Sequence, residues 1–338
     1  MPRPRRRRRD RHDRPESRRL EADVRVRGGT HHTRPGRHAL LRGQARAAAD
    51  RGRGGVRRRV RRLILPAGYP AEVTAFVTDL DGTLIYRGGE IGPRTRAAIT
   101  RSQAAGIPVL IATGRMFRSV RPYLTQARIE EPVVCYQGAA VARPADGVFL
   151  LHEPIELETA REAVAALEEA GHPPNVYVDD ELVVSHHTAY SRAYANFQRL
   201  PVQEVGDMLA WLDQPPTKLV AVAEPDEIPA LRAQLEAHFD GRLFITRSLP
   251  HLLELGHPAV SKGTGLHFVA SLLGLDVARI VAFGDAENDV ELLREAGFGF
   301  AVENADPVLH PVADGFCDGP LVEGVAAVIE ATLDRLCA

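Results

Sequence analysis

Lysine is almost missing from this chain: only Lys218 and Lys262 occur among its 338 residues, although Lys and Arg together number 43. That bias agrees with a GC-rich gene, and it turns each surviving lysine into a position worth asking about. Cysteine is scarce as well. Cys135, Cys317 and Cys337 are scattered and stand in no metal-ligand spacing, so neither a disulfide framework nor a zinc site is expected, and a reducing cytoplasm fits best. No run approaches the roughly 20 apolar residues that span a bilayer. The N-terminus also lacks the apolar stretch of a secretory signal, so a soluble protein without a membrane partner is expected. Internal repeats and the glycine signatures of Walker and dinucleotide sites are missing too. With 44% apolar residues, this length suits two packed domains plus additional sequence.

The near-neutral total conceals two different polymers. Residues 1–68 hold 23 Arg against six acidic residues, which leaves 20 basic against 38 acidic, a formal charge of −18, for the remainder. The first segment is rich in Arg and Gly, nearly free of aromatics and without a sustained apolar period, so burial cannot offset its ordering entropy and a disordered leader is expected. Its arginine runs at residues 5–9 and 57–62 could hold nucleic acid or an anionic surface through phosphate contacts. The plainer reading is a non-structural leader from a start codon placed too far upstream, and the lack of any folded module favours it, so nucleic acid is not the expected partner. Deleting residues 1–68 separates the two: a regulatory or nucleic-acid-binding protein would lose its function, an enzyme would keep it.

From Val73 onward short apolar runs alternate with amphipathic stretches, the pattern of a parallel sheet wound with helices. Strands are predicted at 74–79, 107–113 and 132–138, with a helix at 93–105 opened by Pro93 and closed by Gly106 and another running to about 126. Residues 140–258 differ, with β-rich stretches at 148–152, 175–184, 218–223 and 243–245 between helices, and read as an inserted α+β domain. The winding resumes with a helix from Ser261, a strand at 279–285, a helix from Glu287 and a closing helix at 321–336. The expected fold is therefore α/β: a doubly wound, mostly parallel sheet from 69–139 and 259–338, interrupted by a cap at 140–258.

Asp79-Leu80-Asp81-Gly82-Thr83 stands where the first strand runs out, and alternation along an extended chain lets Asp79 and Asp81 share one side while Leu80 faces away. A calcium loop would use Asp79, Asp81 and Glu90 at its first, third and twelfth positions, but Leu84 replaces the required sixth-position Gly and the segment follows a strand. An ordinary polar turn is the other plain reading. A carboxylate attacking a phosphate dianion at about 4 Å meets roughly 8 kcal/mol of repulsion at an effective dielectric of 20, so cations must be near. A hard divalent ion held by carboxylates would answer this, and Lys262, at a predicted helix start, would add a compact positive charge. Thr113 and the Gly114 amide, between a strand end and a helix start, form a ready anion site, although Thr113 reads nearly as well as a helix cap. Lys218 shows that lysine also survives away from these segments, so a solvated Lys262 is the plain alternative.

These segments together resemble the haloacid-dehalogenase-like superfamily. Asp79 to Leu84 is similar to its first motif, Ile111-Ala112-Thr113-Gly114-Arg115 to its second, Ser261-Lys262-Gly263 to its third and Gly284-Asp285-Ala286-Glu287-Asn288-Asp289 to its fourth, all in family order. An insertion between the second and third motifs resembles the Cof-type branch with its large C2-type cap. The resemblance implies a Mg²⁺-dependent phosphatase in which Asp79 forms an aspartyl-phosphate. Asp81 would protonate the leaving oxygen and then take a proton from the hydrolytic water. Crowding beside Asp79 would favour Asp81 keeping its proton. Asp79, Asp285 and the Asp81 carbonyl would hold the metal, with Asp289 a ligand or an orienter. Leu80, Thr113, Gly114, Lys262 and Asn288 would hold the phosphate, Asn288 and Asp289 reading alternatively as caps of the following helix. Gln137-Gly138 and Glu303-Asn304-Ala305 depart from the branch's usual Asn-Gly and Gly-Asn-Ala, which makes a borrowed substrate unsafe. The expected substrate is a small phosphorylated metabolite, with sugar phosphates first, a sugar phosphomutase as the near alternative, and a monomer or homodimer as the assembly. Asp179, Asp180, His186, His187 and Arg199 are the polar cap residues put forward for specificity.

Overall fold

The computed structural model describes residues 63–86 and 89–336, so the arginine runs at 5–9 and 57–62 and the residue Cys337 lie outside the described residues. The expected leader extended to residue 68, but Leu63 and Leu65 pack, partly buried, against the main apolar core while Ile64 between them points out. Two apolar side chains on one side of an extended segment gain enough from burial to order it.

The first half of the core follows the predicted order: β1 (Ala75–Thr78), α1 (Pro93–Ala104), β2 (Val109–Ile111), α2 (Phe117–Ala127) and β3 (Val133–Cys135). The chain then turns back through β4 (Ala140–Ala142) and β5 (Phe149–His152), which form an antiparallel ladder with β3. Residues 140–152 were expected in the cap. Their pairing ties them to β3 instead, because the fully buried β4 needs a hydrogen-bonding partner on both edges.

The insertion continues with α3 (Leu157–Glu169), β6 (Asn175–Val178), β7 (Glu181–Val184), α4 (Ala189–Gln198), β8 (Val202–Glu204), α5 (Met208–Trp211), β9 (Lys218–Val222), α6 (Ile228–Phe239), β10 (Phe244–Leu249) and β11 (Leu252–Gly256). Its strands lie in the order β10-β11-β9-β6-β7-β8, antiparallel except for β7 with β8. Alternation divides the two faces. Val176, Leu219, Ala221, Leu253 and Leu255 pack with α3 and α6, whereas Tyr177, Val220 and Leu252 join the main apolar core. Lys218 and Glu254 share the parity of that second face.

The chain returns through α7 (Lys262–Leu273), β12 (Ile280–Gly284), α8 (Val290–Glu295), β13 (Phe298–Val302), β14 (Gly315–Cys317) and α9 (Gly324–Leu336). Five parallel strands stand in the order β14-β13-β12-β1-β2, and β3 touches the sheet through one parallel bridge between Ala112 and Val134. Phe76, Ile111 and Phe283 pack with α1, α2 and α9 on one face; Val77, Leu110 and Ala282 pack with α7 and α8 on the other. This is the doubly wound core. The sequence reading overlooked β13 and β14, whose glycines dilute the β-branched signal of a strand. Asp79, Thr113 and Asp285 all follow the carboxyl ends of β1, β2 and β12, at the edge where open sheets bind ligands.

Candidate active site

Lys262, at the first turn of α7, is fully buried and donates to Asp79 Oδ1 at 2.5 Å and to Asp289 Oδ1 at 2.6 Å. The helix start is built for this: Ser261 and Thr264 each accept the other's backbone N–H through their hydroxyls, a capping box that orders the turn beneath the lysine. Asp289 Oδ2 accepts the backbone N–H groups of Asp285 and Ala286, so this carboxylate folds the turn after β12 as well as holding the lysine. Thr83 donates its hydroxyl to Asp285 Oδ1 at 2.8 Å. Gly82, at φ 94, is what lets these loops meet, since a Cβ there would fall 2.2 Å from an Asp285 carboxylate oxygen.

Burial is the largest influence on Asp79 and, with Asp289 and Asp81 nearby, pushes its carboxyl up to about 7 against the opposing pull of Lys262. Burial likewise lifts Asp285 well above the usual carboxylate range, reinforced by Asp79 and Asp289. Burial opposes the charge of Lys262, but Asp289 and Asp79 more than compensate and hold its ammonium above the ordinary value. One lysine among these carboxylates leaves negative charge to neutralise. Asp79, Asp285 and Asp289 each offer an oxygen, and the three oxygens lie within 4.8 Å of one another. A set of carboxylates without nitrogen or sulfur donors suits a hard divalent ion such as Mg²⁺.

Asp81 has a neighbour that sequence spacing does not reveal. The buried Arg115 guanidinium holds its carboxylate in a bidentate pair, Nε to Oδ2 at 2.5 Å and Nη2 to Oδ1 at 2.7 Å. Both of its oxygens act as acceptors in this pair, which fixes where the side chain lies. Arg115 Nη1 in turn donates to Ser119, whose hydroxyl donates to the Gln198 carbonyl on the cap. Thr113 is buried and accepts the Arg115 N–H rather than capping α2, whose preceding residue is Met116. The side chain of Leu80 lies in the core, and its carbonyl accepts the N–H groups of Leu84 and Ile85.

The cap closes over these groups to leave a narrow cleft that Asp79, Asp81, Thr113, Gly114, Asp285 and Asn288 all border. Its roof carries the other lysine. Lys218 Nζ donates to Glu254 Oε2 at 2.8 Å and to the Gly114 carbonyl at 2.6 Å, so a buried ion pair of the cap rests on the second-motif loop. Gln137, at φ 60, bridges the same walls, donating Nε2 to Glu254 and accepting from Asn288 Nδ2 at 3.0 Å. Ser248 donates to the remaining Glu254 oxygen.

The chain matches the haloacid dehalogenase-like hydrolases over residues 76–329. It belongs to that family. Among curated relatives it is 29% identical to the 5-amino-6-(5-phospho-D-ribitylamino)uracil phosphatase YitU of Bacillus subtilis, over 75% of this chain and 94% of that one. It is 27% identical to the HMP-PP phosphatase of Cronobacter sakazakii, over 68% and 84%. Among solved structures, TM0651 of Thermotoga maritima superposes with a TM-score of 0.66 at 27% identity, over 76% of this chain and 97% of that one.

In this haloacid dehalogenase-like hydrolase none of the five polar cap residues put forward from sequence borders the cleft. Asp180 accepts the N–H groups of Phe117 and Arg118 at 2.9 and 3.0 Å and the Tyr136 hydroxyl at 2.7 Å, so it caps a core helix from the insertion. Asp179 accepts from Gln214, while His186, His187 and Arg199 are exposed. The cap residues at the cleft are Tyr194, Gln198, Ser248, Leu249, Leu252 and Glu254. Strand parity around Leu252 was the one signal that could have found Glu254. The scarcity of lysine was the signal for Lys218.

Proposed function

We propose that this chain is a Mg²⁺-dependent phosphomonoesterase that works through an aspartyl-phosphate on Asp79. The buried cluster of Lys262 with Asp79, Asp289 and Asp285 at the sheet's carboxyl edge carries the reading. It joins a carboxylate, a buried lysine and further carboxylates beside a cleft between core and insertion, which supports a nucleophile with cations around it. Asp79 and Asp285 are the side chains that would hold the ion, joined by the Asp81 carbonyl, with Asp289 a third carboxylate that also sets the loop. When bound, Mg²⁺ would neutralise charge on the transferring phosphoryl group. Lys262 keeps Asp79 aligned and shares that charge.

In the first step Asp79 forms a bond to phosphorus while the ester P–O bond breaks, and Asp81, turned from Arg115 and carrying a proton taken from solvent, gives that proton to the departing oxygen. In the second, water attacks phosphorus, its proton passes to Asp81, and Asp79 leaves as a carboxylate with inorganic phosphate released. Asp81 must exchange its contact with Arg115 for the leaving oxygen during this cycle. Thr113, the Gly114 amide and the Leu80 backbone are assigned to the phosphate oxygens. The curated relatives carry the names of two different substrates, so likeness supports the reaction and leaves the leaving group open, with sugar phosphates the class we place first.

The test is phosphate release from a panel of monoesters with and without Mg²⁺, comparing wild type with Asp79→Asn. Release that requires the metal and falls about 10³-fold or more in the variant is the expected result. A variant as active as wild type overturns the nucleophile assignment.

A further inference from the structure

Glu254 is 4% exposed and accepts from Lys218, Gln137 and Ser248. As an ionised carboxylate it can only accept, and the Lys218 ammonium opposite it keeps it ionised, drawing its carboxyl below the ordinary value even though burial pulls the other way. That one fact orients a chain of amides. Gln137 must turn Nε2 towards Glu254, so its Oε1 faces Asn288, and Asn288 must answer with Nδ2. Asn288 Oδ1 is thereby left buried and without a hydrogen-bond partner among the described residues. Across the cleft, Gln198 Nε2 donates to the Tyr194 hydroxyl at 3.2 Å, which also accepts from Tyr177. Gln198 is 5% exposed, and its Oε1 is again buried with no partner. Gln198 and Asn288 line the cleft from opposite walls, and each keeps one buried amide oxygen with acceptor capacity unmet, a state that calls for a donor from outside the described residues.

The cations tell the complementary story. Lys218 is matched by Glu254, Lys262 by Asp79 and Asp289, and Arg115 by Asp81. A second anionic group on the ligand would meet four carboxylates along the lining, Asp79, Asp81, Asp285 and Glu254, and no cation without a carboxylate of its own. Leu249, Leu252 and Tyr194 contribute apolar surface beside these polar groups.

We infer that the cleft selects a phosphomonoester whose leaving group is neutral and presents O–H or N–H donors to Gln198 Oε1 and Asn288 Oδ1, and that it discriminates against a second anion. This rests on the phosphatase reading and narrows it. It also sets the mutase alternative aside, because a sugar bisphosphate brings the second anion that the cleft is not built to take.

The experiment compares kcat/KM of the full chain with Mg²⁺ for D-glucitol 6-phosphate, 6-phospho-D-gluconate, D-glucitol 1,6-bisphosphate and n-hexyl phosphate, with p-nitrophenyl phosphate as a general reporter. The polyol ester should exceed the hydroxyl-free hexyl ester by about 10- to 100-fold. It should exceed both doubly anionic esters by at least about tenfold. In Gln198→Leu the preference of polyol over hexyl ester should fall by about tenfold through loss of one acceptor. Turnover of p-nitrophenyl phosphate together with equal rates on the polyol, hexyl and gluconate esters overturns this inference and leaves the phosphatase reading standing. If no ester, p-nitrophenyl phosphate included, releases phosphate, both fall. The wild-type panel decides the matter even if Gln198→Leu does not fold.

Discussion

On the core wall of the cleft, Asp79, Thr113 and Asp285 stand just past the ends of strands, with Lys262 buried behind them at the start of a helix, and short loops bring them together. On the cap wall, Gln198 and Glu254 line the cleft from a helix and a strand, with Lys218 buried behind Glu254 on another strand, and only tertiary register joins them. The charges differ in the same way. The core wall crowds carboxylates around a single lysine and gains from a further cation and a phosphate, whereas the cap wall balances Lys218 against Glu254 and offers neutral polar atoms beside them. The proposed reactivity is thus concentrated where the sheet ends, and the proposed recognition is spread through the insertion.

Lys262→Met tests the core side most severely. It should lower kcat/KM by about 10³-fold or more. It should also destabilise the fold by roughly 3–5 kcal/mol, because buried carboxylates lose their partner. Steady-state kinetics and denaturant unfolding with Mg²⁺ removed measure the two effects, and a variant with near-wild-type turnover would erase the contrast between the walls. The cap side should break differently. Lys218→Met should cost about 3 kcal/mol by stranding Glu254, and Lys218→Met combined with Glu254→Leu should regain most of it. A double variant as unstable as the single one would show that the pair is not self-contained.

The smallest effect concerns protons. Asp79 is raised from 3.8 to about 7 by burial, so the folded protein retains a proton that the unfolded chain releases. Its contribution to stability is therefore fully present below about pH 4 and is lost as pH rises through about 7. Without Mg²⁺, the transition temperature of wild type relative to Asp79→Asn should fall by a few degrees over that interval. Added Mg²⁺ should restore more at pH 7 than at pH 5. A flat difference between the two proteins would mean that the carboxylates are already compensated.

What sequence could show follows the same division. Motifs at strand ends are contiguous, so the residues of the core wall were legible one by one, as was the doubly wound core. The antiparallel hairpin of β4 and β5 was assigned to the insertion because strands of three and four residues carry too little pattern to declare their partners. Arg115 stood in a quoted motif, but its pairing with Asp81 depends on a rotamer. Glu254 and Gln198 were invisible for a simpler reason: an isolated Glu or Gln in a strand or helix reads as solvated until the fold shows what covers it. Asp180 was selected for its charge and proved to serve a backbone.

That service by Asp180 bears on transplantation. The first N–H groups of α2 have no intrahelical acceptors, and the insertion supplies a carboxylate to two of them. A chimera that exchanges the insertion for another of equal size, without an acid at this turn, would inherit a frayed helix start. The same turn of α2 carries Ser119, the residue linking Arg115 to the insertion. The insertion is therefore not an independent module: the segment that covers the cleft is also a splint for the helix whose Ser119 holds Arg115.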